Sequence, residues 1–366
     1  MTINKLNKGD KVATISLSSG ILGESFIKHE LDLGIKRLEE LGLVPVFTEN
    51  SLKGLDFVKN NPEKRFDDLK NAFLNPEIKA IISAIGGEDS YKLLPYIFED
   101  KEFAKIVKEN PKIFMGYSDT TTIHLALNKL GLNTIYGPAF ITDFAEFESD
   151  MLPYTKENIL SLFNPKESYE IKPSNVWYDE RKDFSPSAVG SLRIKHEETK
   201  GFEFLKGTET SEGEIYGGCL ELLYNLSLHE NKQLTDEEKE TNKDRISVTK
   251  KYSVVKTGEN LKGKVLFIET SDGKPSKEIY TKMINHLKTI GMFDHISALL
   301  VGKPMDETNY EDYKDVLTTE LAEFNFPIVF NMNFGHSFPR MVLPYGATVK
   351  VSPKEKSVTI TQNTIR

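Results

Sequence analysis

A serine in a glycine-led turn is the residue of this chain whose type and position most directly predict chemistry. Ser118 lies in the segment Gly116–Thr120 (Gly-Tyr-Ser-Asp-Thr), between the apolar run Ile113–Met115 and a pattern typical of a helix. A sharp turn from a strand into a helix lifts a serine hydroxyl clear of the backbone and leaves N–H groups free to bind an oxyanion. Ser118 is therefore a candidate nucleophile. The alternative is that it only caps the following helix, because serine is a favoured N-cap residue.

A serine nucleophile needs a base, and one of the seven histidines has a suitable place for it. His336 lies in the predicted loop Asn331–Ser337, close to the end of an apolar strand. Catalytic side chains are often carried by loops near strand ends. A single histidine in a loop is more often structural, so its position alone leaves both roles open.

A carboxylate at the end of another predicted strand could orient this imidazole. Glu269 ends the apolar run Val265–Glu269. Its side chain either faces solvent, as at an ordinary strand end, or accepts a hydrogen bond from the far ring nitrogen of His336. The chain order Ser, Glu, His is one of several orders that give the same triad geometry.

Length and charge restrict the classes of protein to which the chain can belong. With 366 residues it exceeds the usual size of a single domain, so two domains are expected. The net charge is −8. Because binding to a phosphate backbone needs a basic face, we expect no nucleic-acid partner. The sequence has no H-E-x-x-H, paired-cysteine or Walker pattern, so we expect neither a metal nor a cofactor.

The cysteine content and the N-terminal residues predict the compartment. Cys219 is the only cysteine, which excludes an internal disulfide and fits a reducing environment. The polar segment Met1–Lys11 lacks the apolar stretch of a signal peptide, and no apolar run approaches the length that spans a membrane. We therefore expect a cytoplasmic protein without a membrane partner.

Short apolar runs alternate with helical patterns through the first part of the chain. The predicted strands are Lys11–Leu17, Val44–Phe47, Ala80–Ile85 and Ile113–Met115. This alternation predicts a parallel sheet with helices on both faces. Ligands of such sheets bind beyond the carboxyl ends of the strands. We therefore expect Gly86 and Glu88, which follow the third strand, to contact the substrate.

The middle of the chain differs from both ends. Residues 164–213 are rich in proline, serine, glycine and charge and have little periodicity, which predicts a long connection with some short strands. We expect this connection to join an N-terminal domain over residues 1–163, which carries the serine, to a C-terminal domain over residues 214–366, which carries the glutamate and the histidine.

Five segments together resemble the S66 serine peptidases, the family of the LD-carboxypeptidases and the microcin C self-immunity proteins. They occur in the family's order, at Ile85–Leu94, Gly116–Thr121, Gly217–Glu221, Phe267–Ser271 and Asn333–His336. The turn of that family carries Ser-Asp-Thr. The resemblance therefore explains why a threonine stands where hydrolases with a G-x-S-x-G turn have their second glycine.

The resemblance implies a fold and a set of catalytic residues. The fold is α/β, with an N-terminal flavodoxin- or Rossmann-like parallel-sheet domain, a strand-rich α+β C-terminal domain and the active site at their interface. Ser118, Glu269 and His336 are implied as a catalytic triad that cleaves amides through an acyl-enzyme. Members of the family are typically homodimers, and no metal or organic cofactor is implied.

Two backbone N–H groups are expected to form the oxyanion hole of this triad. Asp119 directly follows the nucleophile, and its N–H can point at the oxyanion. Gly87 is the second expected donor, because a glycine lets the backbone approach the substrate closely.

Two substrate classes divide the family that the sequence resembles. LD-carboxypeptidases remove a terminal D-amino acid from cytoplasmic muropeptides, whereas the immunity relatives cleave the amide between an amino acid or peptide and a nucleotide-like group. In the immunity branch an aromatic residue of the connection can stack on the nucleobase, and Trp177 is the candidate here. It could instead anchor the connection by packing. We predict an aminoacyl- or peptidyl-nucleotide substrate, with a muropeptide as the alternative.

A protein that binds a small ligand without chemistry is the alternative from another class. A cleft between two domains could hold such a ligand. In that case Ser118 would be a helix cap, and Glu269 and His336 would lie apart.

Overall fold

Sixteen strands form the sheets of the molecule. The computed structural model describes residues 1–366. The strands, numbered in chain order, are β1 Lys11–Ile15, β2 Val44–Phe47, β3 Ile78–Ser83, β4 Ile113–Gly116, β5 Ile135–Tyr136, β6 Tyr169–Ile171, β7 Val176–Tyr178, β8 Lys195–Glu197, β9 Glu203–Lys206, β10 Ser211–Cys219, β11 Val265–Glu269, β12 Ala298–Gly302, β13 Ile328–Met332, β14 Leu343–Pro344, β15 Thr348–Ser352 and β16 Ser357–Gln362.

Twelve α-helices connect these strands. They are α1 Lys28–Glu40, α2 Leu55–Asn60, α3 Pro62–Leu74, α4 Leu94–Glu99, α5 Phe103–Glu109, α6 Thr121–Lys129, α7 Pro153–Leu160, α8 Leu220–Leu226, α9 Asp236–Thr241, α10 Lys243–Tyr252, α11 Lys277–Thr289 and α12 Tyr310–Glu320. A π-helical turn spans Phe140–Phe144. None of the helices combines the length and the apolar composition that crossing a membrane requires.

The N-terminal sheet has the strand order β14-β5-β4-β3-β1-β2. Strands β1 to β5 run parallel. Every residue of β4 is buried, as expected for a strand covered by helices on both faces. The predicted parallel sheet is therefore confirmed. Its edge strand β14 comes from the C-terminal part of the chain and pairs antiparallel with β5.

The C-terminal sheet has the strand order β6-β16-β15-β10-β11-β12-β13-β9. Its four central strands, β10 to β13, run parallel, and the strands on either side of them are antiparallel. The chain thus combines a parallel N-terminal sheet with a strand-rich C-terminal region, and the predicted fold class is confirmed.

The segment 164–213 contributes more to this second sheet than its composition indicates. Strands β6 and β9 lie at the two edges of the C-terminal sheet, and β7 pairs with β8 in a separate hairpin. Strand β10 begins at Ser211, so the predicted start of the C-terminal domain at residue 214 falls inside a strand. Strands β6 and β9 are short and largely half-buried. They lack the alternation of apolar and polar residues from which a strand can be predicted.

The two regions meet closely where β10 reaches the helix that follows Ser118. A Cβ atom on Gly218 would lie 2.3 Å from Cγ2 of Thr121, the first residue of α6. The N–H of Cys219 donates to Thr121 Oγ1 at 3.1 Å. Cys219 is in turn the β-ladder partner of Glu269 at the end of β11. The glycine therefore lets the carboxyl ends of the two sheets approach each other.

A methyl group at residue 218 tests this close approach. Because Gly218→Ala pushes against Thr121, we expect it to lower the free energy of unfolding by about 1–3 kcal/mol, as overpacking does. In the Thr121→Ser background, which removes Cγ2 and keeps the Oγ1 acceptor, the part of that loss that comes from the contact should disappear, whereas the part that comes from the backbone at residue 218 (φ +155°) should remain. Urea unfolding of the single and double variants measures both effects. An equal loss in the two backgrounds would contradict a contact at this point.

Candidate active site

Ser118 lies at a strained turn between β4 and α6. Its backbone φ angle is +62°, in the left-handed region that non-glycine residues rarely adopt. Such strain is concentrated at functional sites, where the surrounding structure holds it. The serine N–H donates to the hydroxyl oxygen of Tyr136 at 3.2 Å. The turn predicted from the sequence is present, and its amide is held by a tyrosine of the neighbouring strand β5.

The loop after β3 packs directly against the serine hydroxyl. A Cβ atom on Gly86 would lie 2.9 Å from Ser118 Oγ and 3.4 Å from the backbone nitrogen of Asp119. Any larger residue at this position would displace the serine side chain. The sequence prediction places Gly86 near the substrate, and the structure brings it into contact with the candidate nucleophile.

Buried polar contacts fix the course of this loop. Ser18 Oγ accepts hydrogen bonds from the N–H groups of Glu88 at 3.0 Å and Asp89 at 3.2 Å. The Asp89 carboxylate accepts from the buried guanidinium of Arg65 at 2.7 Å. The Glu88 carbonyl accepts from Arg245 of α10 at 3.1 Å, and the Glu88 residue itself is exposed. The end of the loop is thus held by these contacts, while Gly87 and Glu88 are exposed.

The two predicted oxyanion donors flank the contact between Gly86 and Ser118. Gly87 follows the glycine, and Asp119 follows the serine. Gly87 is exposed, and its N–H has no hydrogen-bond partner in the chain. Asp119 is buried, and its carboxylate accepts from the Ser90 N–H at 2.9 Å. Burial raises the pKa of the Asp119 carboxyl, although hydrogen bonds from Ser18 and Ser90 oppose that rise. Its carboxylate therefore anchors the turn.

The C-terminal region brings the other two predicted residues into direct contact. His336 Nδ1 lies 2.8 Å from Glu269 Oε2, and the backbone N–H of His336 donates to the same oxygen at 3.2 Å. Nδ1 must carry the proton, because a carboxylate only accepts. Both residues are buried. A Cβ atom on Gly335 would lie 2.4 Å from the glutamate carboxyl, so only a glycine allows this approach.

The pKa of His336 reflects two opposing effects. Burial disfavours the charged ring, but the adjacent Glu269 carboxylate outweighs burial, and the pKa of His336 is raised above its ordinary value. Asp272 adds to this rise. The imidazolium that forms when the ring takes a proton is therefore stabilised in place.

Tyr136 joins the serine side of the site to the Glu-His pair. Its hydroxyl donates to Glu269 Oε1 at 2.5 Å while accepting the Ser118 N–H. Burial, and then the glutamate charge, raises the pKa of Tyr136 well above its usual value, so the hydroxyl keeps its proton. A continuous chain of hydrogen bonds thus runs from Ser118 through Tyr136 and Glu269 to His336.

The serine hydroxyl itself makes no hydrogen bond to the histidine in this structure. The ring of Tyr117, the residue before the serine, lies edge-on to the imidazole with centroids 4.9 Å apart. Catalytic hydrogen bonds are often long or poorly aligned without substrate. The structure therefore brings Glu269 and His336 into contact and links the Ser118 N–H to this pair through the Tyr136 hydroxyl.

A buried ion pair holds the histidine loop against the N-terminal sheet. Arg340 is fully buried, and its Nη1 lies 3.1 Å from Asp143 Oδ2 in the π-helical turn. The same guanidinium donates to the His336 carbonyl at 3.3 Å and lies 4.2 Å from the centre of the Tyr117 ring. One side chain thus fixes the loop, the tyrosine before the nucleophile and the neighbouring turn.

A cavity of about 420 Å³ opens beside these residues. His336 and Tyr117 lie in its wall together with the aromatic side chains of Phe26, Phe147 and Phe184. Its size and mostly apolar lining are those of a small-molecule site. No group of three or more His, Cys, Asp or Glu residues is placed to hold a metal ion.

Trp177 lies outside the wall of this cavity. Its ring stacks on His196 of the β7–β8 hairpin, with centroids 3.9 Å apart and planes at 14°. Lys303 Nζ lies 4.9 Å from the centre of the tryptophan ring. In this conformation the predicted nucleobase partner packs against other residues of the chain.

Cys219 has the properties of a core residue. It is fully buried, and its thiol donates to Glu221 Oε2 at 3.3 Å. Burial raises the pKa of Cys219 well above its usual value, which suppresses the reactive thiolate. Cys219 is thus a poor candidate for a nucleophile.

Models of one protein family match both halves of the chain. The LD-carboxypeptidase N-terminal domain matches residues 12–137, and the LD-carboxypeptidase C-terminal domain matches residues 212–351. This chain belongs to the S66 peptidase family. The resemblance recognised in the sequence is confirmed.

Individual S66 relatives match along almost the whole chain. YocD of Bacillus subtilis, named as a carboxypeptidase, is 28% identical over 96% of both chains. The microcin C7 self-immunity protein MccF of Escherichia coli is 28% identical over 92% of this chain and 89% of its own. An MccF-like protein from Streptococcus pneumoniae, solved with AMP, is 45% identical with a TM-score of 0.87 and covers 96% of this chain and 98% of its own.

Sequence reasoning did not find every residue that builds this S66 site. Tyr136 lies in the two-residue strand β5, for which no element is predicted. Arg340 and Asp143 lie in segments without periodicity. The one signal for Arg340 is that it is a charged residue within the apolar stretch Pro339–Leu343. That signal does not reveal which residue it pairs with.

Removing the bridging hydroxyl tests its role in positioning the site. Tyr136→Phe leaves the Ser118 N–H without its acceptor and removes one of the three donors to Glu269, so that its Oε1 has no partner. We expect kcat/KM to fall about 10- to 100-fold, which corresponds to the loss of a hydrogen bond to a charged group. Steady-state kinetics with a substrate that the protein cleaves measures the effect.

Tyr345→Phe is the matched control for this variant. The Tyr345 hydroxyl is also buried and donates to the Gly217 carbonyl at 2.6 Å, but it makes no hydrogen bond to the triad residues. Its loss should reduce stability with little effect on kcat/KM. Equal losses of activity in the two variants would contradict a specific role for Tyr136.

The raised pKa of His336 depends on the glutamate charge, and Glu269→Gln tests this dependence. Without the charge, burial dominates, so the pKa of the imidazole should fall below the ordinary value of 6.5. NMR titration of the ring measures this change. His286, whose pKa burial lowers to about 4 at a distant position, should titrate as in the wild type. An unchanged pKa for His336 would mean that another group stabilises the charged ring.

Proposed function

We propose that the chain is a serine-type amide hydrolase that uses Ser118, His336 and Glu269 and acts on aminoacyl- or peptidyl-nucleotide substrates. The hydrogen-bond chain from the Ser118 N–H through Tyr136 and Glu269 to His336 is the observation that carries the proposal. It links groups from both sheets beside a cavity large enough for a small molecule.

The first half of the reaction forms an acyl-enzyme. Ser118 Oγ attacks the carbonyl carbon of the substrate amide, and its proton passes to Nε2 of His336. Glu269 holds the opposite ring nitrogen and stabilises the imidazolium. The ring then gives the proton to the leaving nitrogen as the C–N bond breaks. In the second half water attacks the ester, with the same ring acting first as base and then as acid.

The oxyanion of each tetrahedral intermediate needs two donors. We assign this role to the N–H groups of Gly87 and Asp119. The Gly87 N–H is exposed and unpaired, and the Asp119 nitrogen lies close to the same loop. Donors of this kind contribute about 3–4 kcal/mol each to transition-state stabilisation.

The nucleotide branch is favoured by the cavity and by the relatives. Aromatic side chains line the cavity beside the histidine, which suits a flat ring. The Streptococcus pneumoniae relative was solved with AMP, and MccF was solved with aspartyl sulfamoyl adenosine. Stacking of Trp177 on a nucleobase requires the tryptophan ring to leave His196.

The expectation of a cytoplasmic homodimer stays a prediction. The homodimer follows from the family resemblance, and the compartment follows from the sequence.

The muropeptide reaction is the second candidate. The family models that match the chain are described as LD-carboxypeptidase domains, and several relatives are named as carboxypeptidases. The same triad would then release a terminal D-amino acid.

A comparison of two substrates tests the proposed function. Purified protein should hydrolyse an aminoacyl-sulfamoyl adenosine with a higher kcat/KM than a muropeptide that ends in a D-amino acid, with products followed by mass spectrometry. Ser118→Ala should reduce the rate by about 10⁴–10⁶-fold, as the loss of a triad nucleophile does.

Each other outcome of this comparison has a defined meaning. A preference for the muropeptide would assign the LD-carboxypeptidase reaction. Binding of the adenosine compound without cleavage of either substrate would favour the binding protein. Full activity of Ser118→Ala would contradict the proposed mechanism.

A further inference from the structure

Two serines that follow strand β1 hold the loop that carries Gly87. Ser18 is buried and Ser19 is half-buried, and neither takes part in the reaction proposed above. Strands β1 and β3 are parallel neighbours in the N-terminal sheet, so the segments that follow them leave the sheet at the same edge. Ser18 and Ser19 are therefore placed to set the course of the loop after β3, which contains a predicted oxyanion donor.

The backbone of Ser19 orients the peptide unit between Gly86 and Gly87. Its N–H donates to the Gly86 carbonyl at 3.3 Å. In a planar trans peptide the C=O and the N–H point in opposite directions. Because the carbonyl is directed at Ser19, the Gly87 N–H points away from Ser19. This N–H has no partner in the chain and is free to bind a ligand.

The hydroxyl of Ser18 holds the next two peptide units. Its Oγ accepts from the N–H groups of Glu88 at 3.0 Å and Asp89 at 3.2 Å. Its proton can be donated to Asp89 Oδ1 at 3.3 Å or to the carboxylate of Asp119, the residue that carries the second predicted oxyanion donor. A hydroxyl has one proton and two acceptor lone pairs, so these contacts use its full capacity.

Close packing leaves no room for a side chain between this hydroxyl and the loop. A Cβ atom on Gly87 would lie 2.3 Å from Ser18 Oγ, and the φ angle of Gly87 is +148°, which favours glycine. The buried Arg65 adds support, because its Nη1 donates to the Leu17 carbonyl at 3.0 Å and to the Asp89 carboxylate at 2.7 Å. The segment before Ser18 and the end of the loop are thereby fixed to each other.

The place of these contacts separates Ser18 from a serine that only satisfies nearby backbone groups. The two N–H groups that it accepts follow Gly87 directly, whereas Gly86, directly before it, packs against Ser118 Oγ. The backbone that carries the Gly87 N–H is thus fixed by Ser18 on one side and by the nucleophile on the other. Oxyanion donors are effective because they are held in place before the reaction begins. A loop released from Ser18 would keep this donor and lose its direction.

We propose that Ser18 is a positioning residue of the oxyanion hole, which directs the Gly87 N–H by holding the two peptide units that follow it. This inference rests on the proposed function, because it takes Gly87 as an oxyanion donor. Ser18 acts through the backbone of the loop, and its hydrogen bonds go to that loop and to Asp119 rather than to the triad.

Labelling by a fluorophosphonate tests this role without a known substrate. Ser118 Oγ bonds to phosphorus, fluoride leaves and the serine proton passes to His336, while the phosphoryl oxygen takes the place of the oxyanion. Mass spectrometry of the full-length protein at several reagent concentrations gives the maximal rate and the half-saturating concentration. Ser18→Ala should lower the maximal rate about 10- to 100-fold, since a misdirected donor costs less than the roughly 10²–10³-fold of a lost one. The half-saturating concentration should stay unchanged.

Ser18→Cys is a second variant that fills the same space. Sulfur is a weak acceptor, so this variant should also lower the maximal rate, by a smaller factor than Ser18→Ala. It carries the test if the alanine variant does not fold.

Ser16→Ala is the matched control from the same segment. Ser16 is also buried, and its Oγ donates to the Ser51 carbonyl at 2.9 Å rather than to the loop after β3. Thermal unfolding should show similar losses of stability in Ser16→Ala and Ser18→Ala, whereas only Ser18→Ala should lose labelling rate. Equal losses of labelling rate in the two variants would assign Ser18 a general structural role and overturn the inference.

Two further results separate the failure of this inference from the failure of the proposed function. Labelling of Ser118 at the wild-type rate in the Ser18 variants would overturn the inference and keep Ser118 as the nucleophile. Absence of labelling at Ser118 in the wild type would overturn the proposed function and the inference together, because the inference presupposes that nucleophile.

Discussion

Glu269 carries a carboxylate at a place that water does not reach, and the geometry of the site follows from the way this group is satisfied. An unpaired charge in such a position is costly, so its neighbours must supply donors. Two come from the histidine loop, namely the ring Nδ1–H and the backbone N–H of His336. The third is the hydroxyl of Tyr136, which belongs to the other sheet. Satisfying one buried charge therefore ties the two halves of the chain together.

This junction tolerates little change because backbone groups and small residues form much of it. Gly335 lets its own loop close over the glutamate, Gly86 leaves room for the Ser118 hydroxyl, and Gly218 admits the helix that follows the serine. Arg340 adds an ion pair to Asp143 and thereby links the histidine loop to the turn after β5. Any shift of one sheet against the other would break several of these contacts at once. The site is preorganised in this sense.

The elements that carry the site could be predicted because their sequence signals are local. The parallel strands of the first region follow from apolar runs that alternate with helical patterns, and the turn at Ser118 follows from its own residues. The pairing of Glu269 with His336 is different, because 67 positions separate them. The strand-end position of Glu269 and the loop position of His336 raised that pair as one possibility and the family resemblance then favoured it, whereas periodicity could not predict it.

Residues that act only through contacts with distant segments of the chain could not be predicted from local sequence patterns. Tyr136 lies in a strand of two residues and acts through a hydroxyl that contacts both regions. The edge strands β6 and β9 are stabilised by the sheet that they join. In each case the information lies in a contact between distant segments.

The central claim is that His336, held by Glu269, makes Ser118 nucleophilic. Covalent labelling with a fluorophosphonate, followed by peptide mass spectrometry, tests this most directly, because the reagent reacts with an activated serine whatever the natural substrate is. We expect a single adduct on the peptide that contains Ser118, and its loss in His336→Ala. An adduct on another residue, or labelling of Ser118 at an unchanged rate in His336→Ala, would contradict the account.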